Sequence, residues 1–583
     1  MPIHDSWILA ETPPDNPHIP IVHPALRSIV IRRGVSTADE FRRFAAPAIG
    51  DLHDAAAIHG MAAACERIER AVRDRQTILI YGDYDVDGVT SIVLLQTVLR
   101  SLGADAAHVV PHRLVDGYGL KTEVLERVLV ERDVRLVITV DCGITSIDPV
   151  RRAIDRGIDV IITDHHLPPG TLPEAAAVLN PKQPGCTYPF KELAGVGVAF
   201  KLCCELIRRN GKKISIESLL KIAAIGTVAD VAPLVGENRT IAWLGLQGLA
   251  DPRNPGLRTL IRRLGMLGRP LRAVDVGFKI GPRINAAGRL SSAETAIDLF
   301  AAESEESAWE LCAELDRMNA ERQEIEKVVR GMAEEQVLCA VARLRGCEVS
   351  WSLPPRNLAT PQLRNRVFIL SGENWHKGVL GLTAGRIAQK YHRPTLVIGI
   401  EGERCSGSAR SIPSINLHEQ LEAVSDVFTH FGGHEFACGF SLETRNLGAL
   451  RERLAARFEL LDESVFRRDA TVDAALPLGT IDAEFLAAHE MLQPFGAGNP
   501  QPLFMARDAV VVSARTFAPD CCELILEDAT GRATAVLWPS AQSLAAQLVP
   551  GSRADLLFHV EPDSYAPTGA RLAIVDARDS GRE

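Results

Sequence analysis

The sequence predicts an α/β protein in four successive parts: a parallel-sheet domain, a long connecting helix, a second α/β unit and a C-terminal β-barrel. Three observations predict it. Between residues 78 and 230, short apolar runs alternate with helical patterns, the signature of βαβ units and a parallel sheet. From 303 to 330 there is neither Gly nor Pro, and apolar positions recur at helical spacing. Beyond residue 494, five β-like runs fall within about 85 residues, which fits a small barrel such as an OB-fold.

Bulk properties set the frame. A chain of 583 residues suggests three or four domains at about 150 residues each. At 46% hydrophobic and 24% charged residues it has the composition of a soluble globular protein. The net charge of −10 argues against a general nucleic-acid coat but leaves room for a local basic groove. No run of about 18 apolar residues exists, so no membrane span is expected. Met1 to Asp5 offers no basic segment followed by an apolar one, so no secretion signal is expected and the cytoplasm is the expected location. The twelve cysteines include no Cys-x-x-Cys, and the adjacent pairs Cys203-Cys204 and Cys521-Cys522 suit neither a zinc site nor a disulfide framework. Mostly buried thiols are expected.

The elements follow in order. Residues 1–60 are punctuated by Pro and hold an amphipathic piece at 38–44. Apolar runs at 77–80, 136–140, 160–163 and 222–228 each stop at charges: Asp83-Tyr84-Asp85-Val86-Asp87-Gly88, then Asp141-Cys142-Gly143, then Asp164-His165-His166, then Asp230. Helical patterns at 123–131 and 149–156 lie between them. Residues 251–289 carry nine Lys or Arg against two Asp. In the Gly- and Pro-free stretch and just past its end, Leu311, Leu315, Met318, Ile325, Val329 and Met332 make a seam that Arg322 interrupts. A helix joining two domains and packing on both is favoured over a coiled-coil dimer. Residues 352–362 look like a surface insertion. The second α/β unit has strands at 367–370 and 395–400 and a helix at 378–389. The barrel strands are expected at 504–517, 523–526, 533–538, 554–560 and 571–575.

Ligands of an open α/β sheet bind outside the carboxyl ends of the parallel strands, so the four acidic clusters should converge on one crevice. So many carboxylates together call for cations among them. Asp83 to Gly88 opens like an EF-hand loop, but position twelve is Leu94 rather than Glu and a strand precedes it; the calcium loop is rejected. Gly82 and Gly88 instead suit a sharp strand-to-helix turn that aims alternate carboxylates into the crevice. Oxygen ligands suit Mg²⁺ or Mn²⁺, and a His among them tilts the choice to Mn²⁺. In Asp164-His165-His166, one His can ligate while the other reaches a substrate phosphate, with Asp164 orienting a ring. The inventory suits two divalent ions sharing a bridging Asp, a pair that activates water and stabilises in-line displacement at phosphorus.

On these residues the chain resembles the DHH phosphoesterase superfamily, and over nearly its whole length it resembles that superfamily's bacterial exonucleases specific for single-stranded DNA. The resemblance implies five parts: an N-terminal extension at 1–60, a DHH catalytic domain at 61–302, a connecting helix at 303–345, a DHHA1 domain at 346–465 with Gly432-Gly433-His434, and an OB-fold domain at 466–583 introduced by Pro494-Phe495-Gly496. It implies Asp83, Asp85, Asp87, Asp141, His165 and Asp230 as ligands of two Mn²⁺ or Mg²⁺ ions, Asp141 bridging them, and His166 on the scissile phosphate. Arg283, Asn285 and Arg289 would lie on the DNA backbone. Arg113 and Tyr118 would line the nucleotide path. Ser408, Arg410 and Ser411 would clamp a 5′-terminal phosphate, with Ala409 where the family often has Gly, and His434 would pack against the strand. Trp538 and Phe558 are candidate stacking residues in the barrel.

The implied activity is 5′-to-3′ hydrolysis of single-stranded DNA to 5′-mononucleotides, in DNA repair and recombination. The expected state is a monomer, and the expected protein partners are single-strand-binding protein and a helicase. Two rivals stand beside it. A DHH phosphodiesterase of short oligonucleotides or cyclic dinucleotides usually lacks an OB-like tail. A non-catalytic DNA-binding scaffold would have lost ligand residues.

Overall fold

The structure is a computed structural model that describes residues 3–344 and 365–580, except Leu114, Tyr118 and Ser564. The insertion expected at 352–362 lies outside the described residues. The chain divides into two compact units. One comprises Thr37–Arg322 and Met491–Pro500; the other comprises Met1–Ser36, Gln323–Glu490 and Gln501–Glu583.

The first unit is built on a five-stranded sheet. Its strands lie in the order Ala106–Val109, Thr77–Gly82, Val134–Val140, Asp159–Thr163 and Ala177–Leu179, every neighbouring pair parallel. By chain position that is 2-1-3-4-5, a doubly wound order whose direction switches between the first and third strands. Side chains alternate across the sheet. Ile78, Ile80, Leu136 and Ile138 enter one core, while Leu79, Tyr81, Val137, Val160 and Ile162 enter the other. With both faces covered, these strands read as continuous apolar runs. The helices expected at 38–44, 123–131 and 149–156 are present as Ala38–Ala45, Thr122–Glu131 and Ile147–Asp155.

The fourth apolar run departs from expectation. Residues 222–228 are not a strand but the end of the helix Ile216–Ala229, and Asp230 is its C-cap. The helix is packed on several sides, with Leu219, Leu220, Ala223, Ala224 and Ile225 all in the core. A short, uniformly apolar run cannot be told from a strand by its period.

The long helix is Glu305–Leu344. Ala308, Cys312, Leu315 and Met318 belong to the core of the first unit, whereas Val329, Ala333 and Val337 belong to a core of the second. The seam drifts after Val329, and Met332 is exposed.

The second unit holds a five-stranded sheet in the order His430–His434, Ala437–Glu443, Arg404–Arg410, Thr395–Glu401 and Phe368–Glu373; only the last pair is parallel. It also holds a closed barrel of Phe504–Ala518, Cys521–Glu527, Arg532–Leu537, Ala570–Asp579 and Arg553–Pro562, the last strand pairing back to the first. Ser6–Leu9 pairs in parallel with Asp469–Val472. The Ile3 and His4 amides and the Trp7 indole N–H all donate to the buried Asp576 carboxylate.

Pro494-Phe495-Gly496 departs from expectation too. Rather than opening the barrel, it lies on the first unit, where the Leu234 amide donates to the Ala497 carbonyl at 2.7 Å and the Arg239 guanidinium donates to the carbonyls of Met491, Leu492 and Gln493. A Cβ on Gly498 would stand 3.1 Å from Pro233 Cβ, so the segment's glycines let it lie close. None of the described cysteines is disulfide-bonded, and most are buried. Among the described residues no helix is long and apolar enough to cross a membrane.

Candidate active site

The first strand ends at Gly82 and the chain turns at once into the helix Val86–Ser101. Asp85 caps that helix, its Oδ1 accepting from the Asp87 and Gly88 amides at 2.9 and 3.2 Å. Gly88 is required by proximity: a Cβ there would sit 2.3 Å from the Asp83 carbonyl oxygen. The turn buries Asp83 and Asp87 beside Asp141, which follows the third strand with φ 58°. Both segments thus flank the topological switch.

Asp87 is fixed from across the crevice. Its carboxylate accepts from the Gly195 amide at 2.8 Å and the Val196 amide at 2.6 Å, the first turn of the helix Gly195–Asn210. A helix N-terminus favours such an anion. Gly195 also lies against Asp141, since a Cβ there would be 2.6 Å from Asp141 Oδ1. This glycine went unnoticed in the sequence; its signal was a Gly at the start of an apolar helical run.

His165 Nε2 faces three acids: 3.2 Å from Asp141 Oδ1, 3.9 Å from Asp230 Oδ2 and 4.0 Å from Asp87 Oδ2. Burial, then the neighbouring His166 charge, pushes its pKa down to about 3, so the ring is neutral. Asp164 serves as an orienting group. One oxygen accepts from the His165 and His166 amides and lies 2.7 Å from His166 Nδ1; the other accepts from the Ile144 amide. Burial opposes protonation of His166, but the Asp164 hydrogen bond and charge outweigh it and raise its pKa. Asn180 donates to the His166 carbonyl at 2.9 Å and further fixes the segment.

The electrostatics ask for cations. Burial, with the charge of Asp85 next, raises Asp83 well above the usual carboxylate range and Asp87 to about 7. Asp141 and Asp230 are raised for the same reason, burial first and the neighbouring acids after it. Ligand atoms of Asp83, Asp85 and Asp141, of Asp87, His165 and Asp230, and of Asp141, His165 and His166 lie within 4.8 Å of one another in each group. Asp83 Oδ1 is buried and has no hydrogen-bond partner among the described residues. Hard oxygen donors plus a neutral imidazole fit Mg²⁺ or Mn²⁺.

The residues expected on the nucleic-acid path divide. Arg113 lies over the Tyr84 ring at 4.8 Å, so it borders the acidic loop. Gly288 brings the helix Gly281–Leu290 against the same loop, its Cβ position only 2.5 Å from the Tyr84 carbonyl oxygen, and Arg289 acts electrostatically on Tyr84. Asn285 is half-buried on that helix. Arg283 is held by Asp316 at 2.6 Å and by the Lys279 carbonyl. Much of the basic run is paired likewise: Arg258 and Arg262 with Glu305, Arg263 with Asp316, and Arg269 and Lys279 with Asp275. Formal charge overstated the groove because Glu305 and Asp316 lie outside the counted window. Tyr118 lies outside the described residues.

Ser408, Arg410, Ser411 and His434 belong to the second unit and are not part of the acidic cluster. Arg410 donates to Ser408 Oγ at 3.0 Å, and cross-strand register sets Arg410 beside Ala437, itself opposite His434. Ser411 Oγ donates to the Ile415 carbonyl at 2.6 Å. A Cβ on Gly381 of the helix Lys377–Tyr391 would be 2.9 Å from Arg410 Nη2, a second glycine the sequence reading passed over. In the barrel, Phe558 is fully buried and is core, whereas Trp538 is half-buried with Arg571 over its ring at 4.9 Å.

A 2-1-3-4-5 parallel sheet with carboxylates and a His-His pair gathered at its switch point defines a domain of the DHH class. The family description "DHH family, N-terminal domain" matches residues 77–227, "DHHA1 domain" matches 364–460 and "RecJ OB domain" matches 472–570. The chain is 35% identical over 516 residues to the single-stranded-DNA-specific exonuclease RecJ of Salmonella typhimurium, covering 85% of each. To the protein of that name from Bacillus subtilis it is 38% identical over 500 residues, 85% of this chain and 60% of the relative's length. RecJ of Thermus thermophilus, solved with Mn²⁺, superposes with TM-score 0.80 at 27% identity over 99% of this chain and 80% of that one; the same protein has been solved with Mg²⁺. This chain belongs to the RecJ family.

Proposed function

We propose that this chain is a metal-dependent exonuclease that degrades single-stranded DNA from its 5′ end and releases 5′-mononucleotides. The observation that carries the reading is the convergence of Asp83, Asp85, Asp87, Asp141, His165 and Asp230, from four separate segments, into groups with ligand atoms within 4.8 Å. These six residues would hold two Mn²⁺ or Mg²⁺ ions. Bound there, such ions supply a water made nucleophilic near neutral pH and positive charge for the attacking and leaving oxygens.

The chain's own groups do the rest. The Gly195 and Val196 amides hold Asp87 in one orientation, and Asp164 holds His166 as a hydrogen-bond donor toward a non-bridging phosphate oxygen. His165 stays neutral and keeps its Nε2 turned to the acids. Arg113 and Arg289, beside Tyr84, attract the backbone of the incoming strand. Ser408 and Arg410 are the clamp for the 5′-terminal phosphate, and the barrel holds the strand through phosphate contacts and stacking at Trp538. The same reading assigns the enzyme to DNA repair and recombination, with single-strand-binding protein and a helicase as partners.

The test is digestion of 5′- and 3′-labelled single and double strands with and without Mn²⁺, by the parent chain and Asp141→Ala. The parent should release labelled mononucleotide first from 5′-labelled single strands and only with the cation, and Asp141→Ala should be inactive. Full activity of Asp141→Ala, or release from the 3′ end first, refutes the reading.

A further inference from the structure

The helix Ile216–Ala229 stops in a hydrogen-bonded C-terminal motif. The Val231 amide donates to the Val228 carbonyl at 3.2 Å, and the Ala232 amide donates to the Thr227 carbonyl at 3.3 Å. In this motif the residue that turns left-handed is usually Gly, because a Cβ in that conformation crowds the following carbonyl. Here it is Val231, at φ 59°. A β-branched residue at positive φ is a true outlier, and such outliers persist at functional sites, where the surroundings enforce them. Packing does not account for this one, since Val231 is 69% exposed.

A second residue stands in the same relation to the centre. Leu167 directly follows His166 and is 66% exposed. Val231 directly follows Asp230, whose Oδ2 is 3.9 Å from His165 Nε2. Leu167 and Val231 are thus two large aliphatic residues, each one position along the chain from a side chain of the acidic cluster, and both are exposed among the described residues.

We infer that Leu167 and Val231 form an apolar lip that receives the nucleobase of the nucleotide whose phosphate lies at the acidic centre. This rests on the function proposed above and adds a base-contacting subsite to it. The chemistry matches a nuclease indifferent to sequence. Every base has an apolar face, whereas hydrogen-bonding groups at the lip would read base edges and impose a preference. The strain at Val231 is then what the site gives up to present an isopropyl group there, because Gly would satisfy the helix end and offer the base nothing.

The test uses the full chain with Mn²⁺ and separates folding from binding. Val231→Gly and Val231→Asn both accept the left-handed backbone and remove the aliphatic surface; Val231→Ile keeps it. Val231→Gly and Val231→Asn should unfold at higher urea than the parent, raise KM for a single-stranded oligonucleotide about fivefold or more, and leave kcat within about twofold. Val231→Ile should keep the parent KM. An oligonucleotide whose first two 5′ nucleotides are abasic should show a raised KM with the parent and no further rise with Val231→Gly. Unchanged KM in both Val231→Gly and Val231→Asn overturns the inference, as does equal KM of the parent for abasic and ordinary strands. Should the variants fold poorly, equal KM of the parent for abasic and ordinary strands still overturns the inference. A protein partner docking on the lip would leave all these KM values equal and so counts against it. A parent chain that releases no mononucleotide from any single strand would instead sink the proposed function.

Discussion

Replacing Gly195 with Ala puts a methyl group where the crevice has no room for one. The new Cβ would stand 2.6 Å from Asp141 Oδ1, 2.8 Å from its Cβ and 2.9 Å from its Cγ. Restoring an ordinary contact near 3.5 Å requires a displacement of about 0.9 Å. Asp141 cannot absorb it by swinging its far end, because its own Cβ and Cγ are among the atoms struck, and its amide is tied to the Thr163 carbonyl at 3.0 Å. The helix can retreat only by stretching the Gly195 and Val196 hydrogen bonds to Asp87. Either way one carboxylate of the centre moves. A misplacement of roughly 1 Å costs about 100-fold in rate, or about 2.7 kcal/mol of barrier. The overpacking itself should destabilise the unit by about 1–3 kcal/mol. The assay is mononucleotide release at saturating single-stranded DNA across an Mn²⁺ titration, beside urea unfolding. Gly197→Ala is the control, since the three atoms nearest its Cβ all belong to the Leu193 side chain, the first at 3.2 Å. Wild-type kcat and an unchanged Mn²⁺ requirement in Gly195→Ala would refute the argument that this glycine positions the centre.

Three further outcomes are expected. Gly381→Ala should displace the Arg410 guanidinium, 2.9 Å from the new Cβ, and reduce the preference for a 5′-phosphate over a 5′-hydroxyl by about tenfold, as measured by competing the two ends. Phe558→Ala should destabilise the second unit by about 3–5 kcal/mol, read by urea unfolding, because the ring is buried in the barrel. Asp275 is buried, which opposes ionisation, yet Arg269, Lys279 and the Arg272 amide hold its pKa down to about 2. A depressed folded pKa gives stability that is complete above the unfolded value near 3.9 and is lost as pH falls toward 2. Acid unfolding of Asp275→Asn should therefore show a weaker pH dependence between about 4 and 2 than the parent.

Much of the site was legible because three of its four segments obey one rule. Asp83 to Asp87, Asp141 and Asp164 to His166 all follow strands whose apolar runs are buried on both faces, so the sequence marks both the strand and its end. Asp230 was found for the wrong reason. It ends a helix, so the strand-end argument did not apply to it, and the family resemblance was the firmer ground for naming it. What sequence could not show was support from across the fold. The Gly195 amides on Asp87 and the Gly381 contact with Arg410 depend on Cβ atoms that are absent, and a missing group leaves no periodicity. The pairing of Arg263 and Arg283 with Asp316 spans more than thirty residues, so a local charge count read them as open. Pro494 to Pro500 was assigned to its neighbour in sequence, while its backbone partners lie near residues 234 and 239.

That last segment bears on how the protein is made. Residues 491–500 complete the unit that carries the acids, although synthesis has by then passed through most of the other one. Arg239, buried with its guanidinium directed to three carbonyls of this stretch, meets them only after residue 493 leaves the ribosome. A fragment cut after the long helix would carry every proposed metal ligand yet expose the surface this stretch covers. Supplying residues 491–500 through a short linker should make such a fragment easier to obtain as a soluble, folded enzyme core.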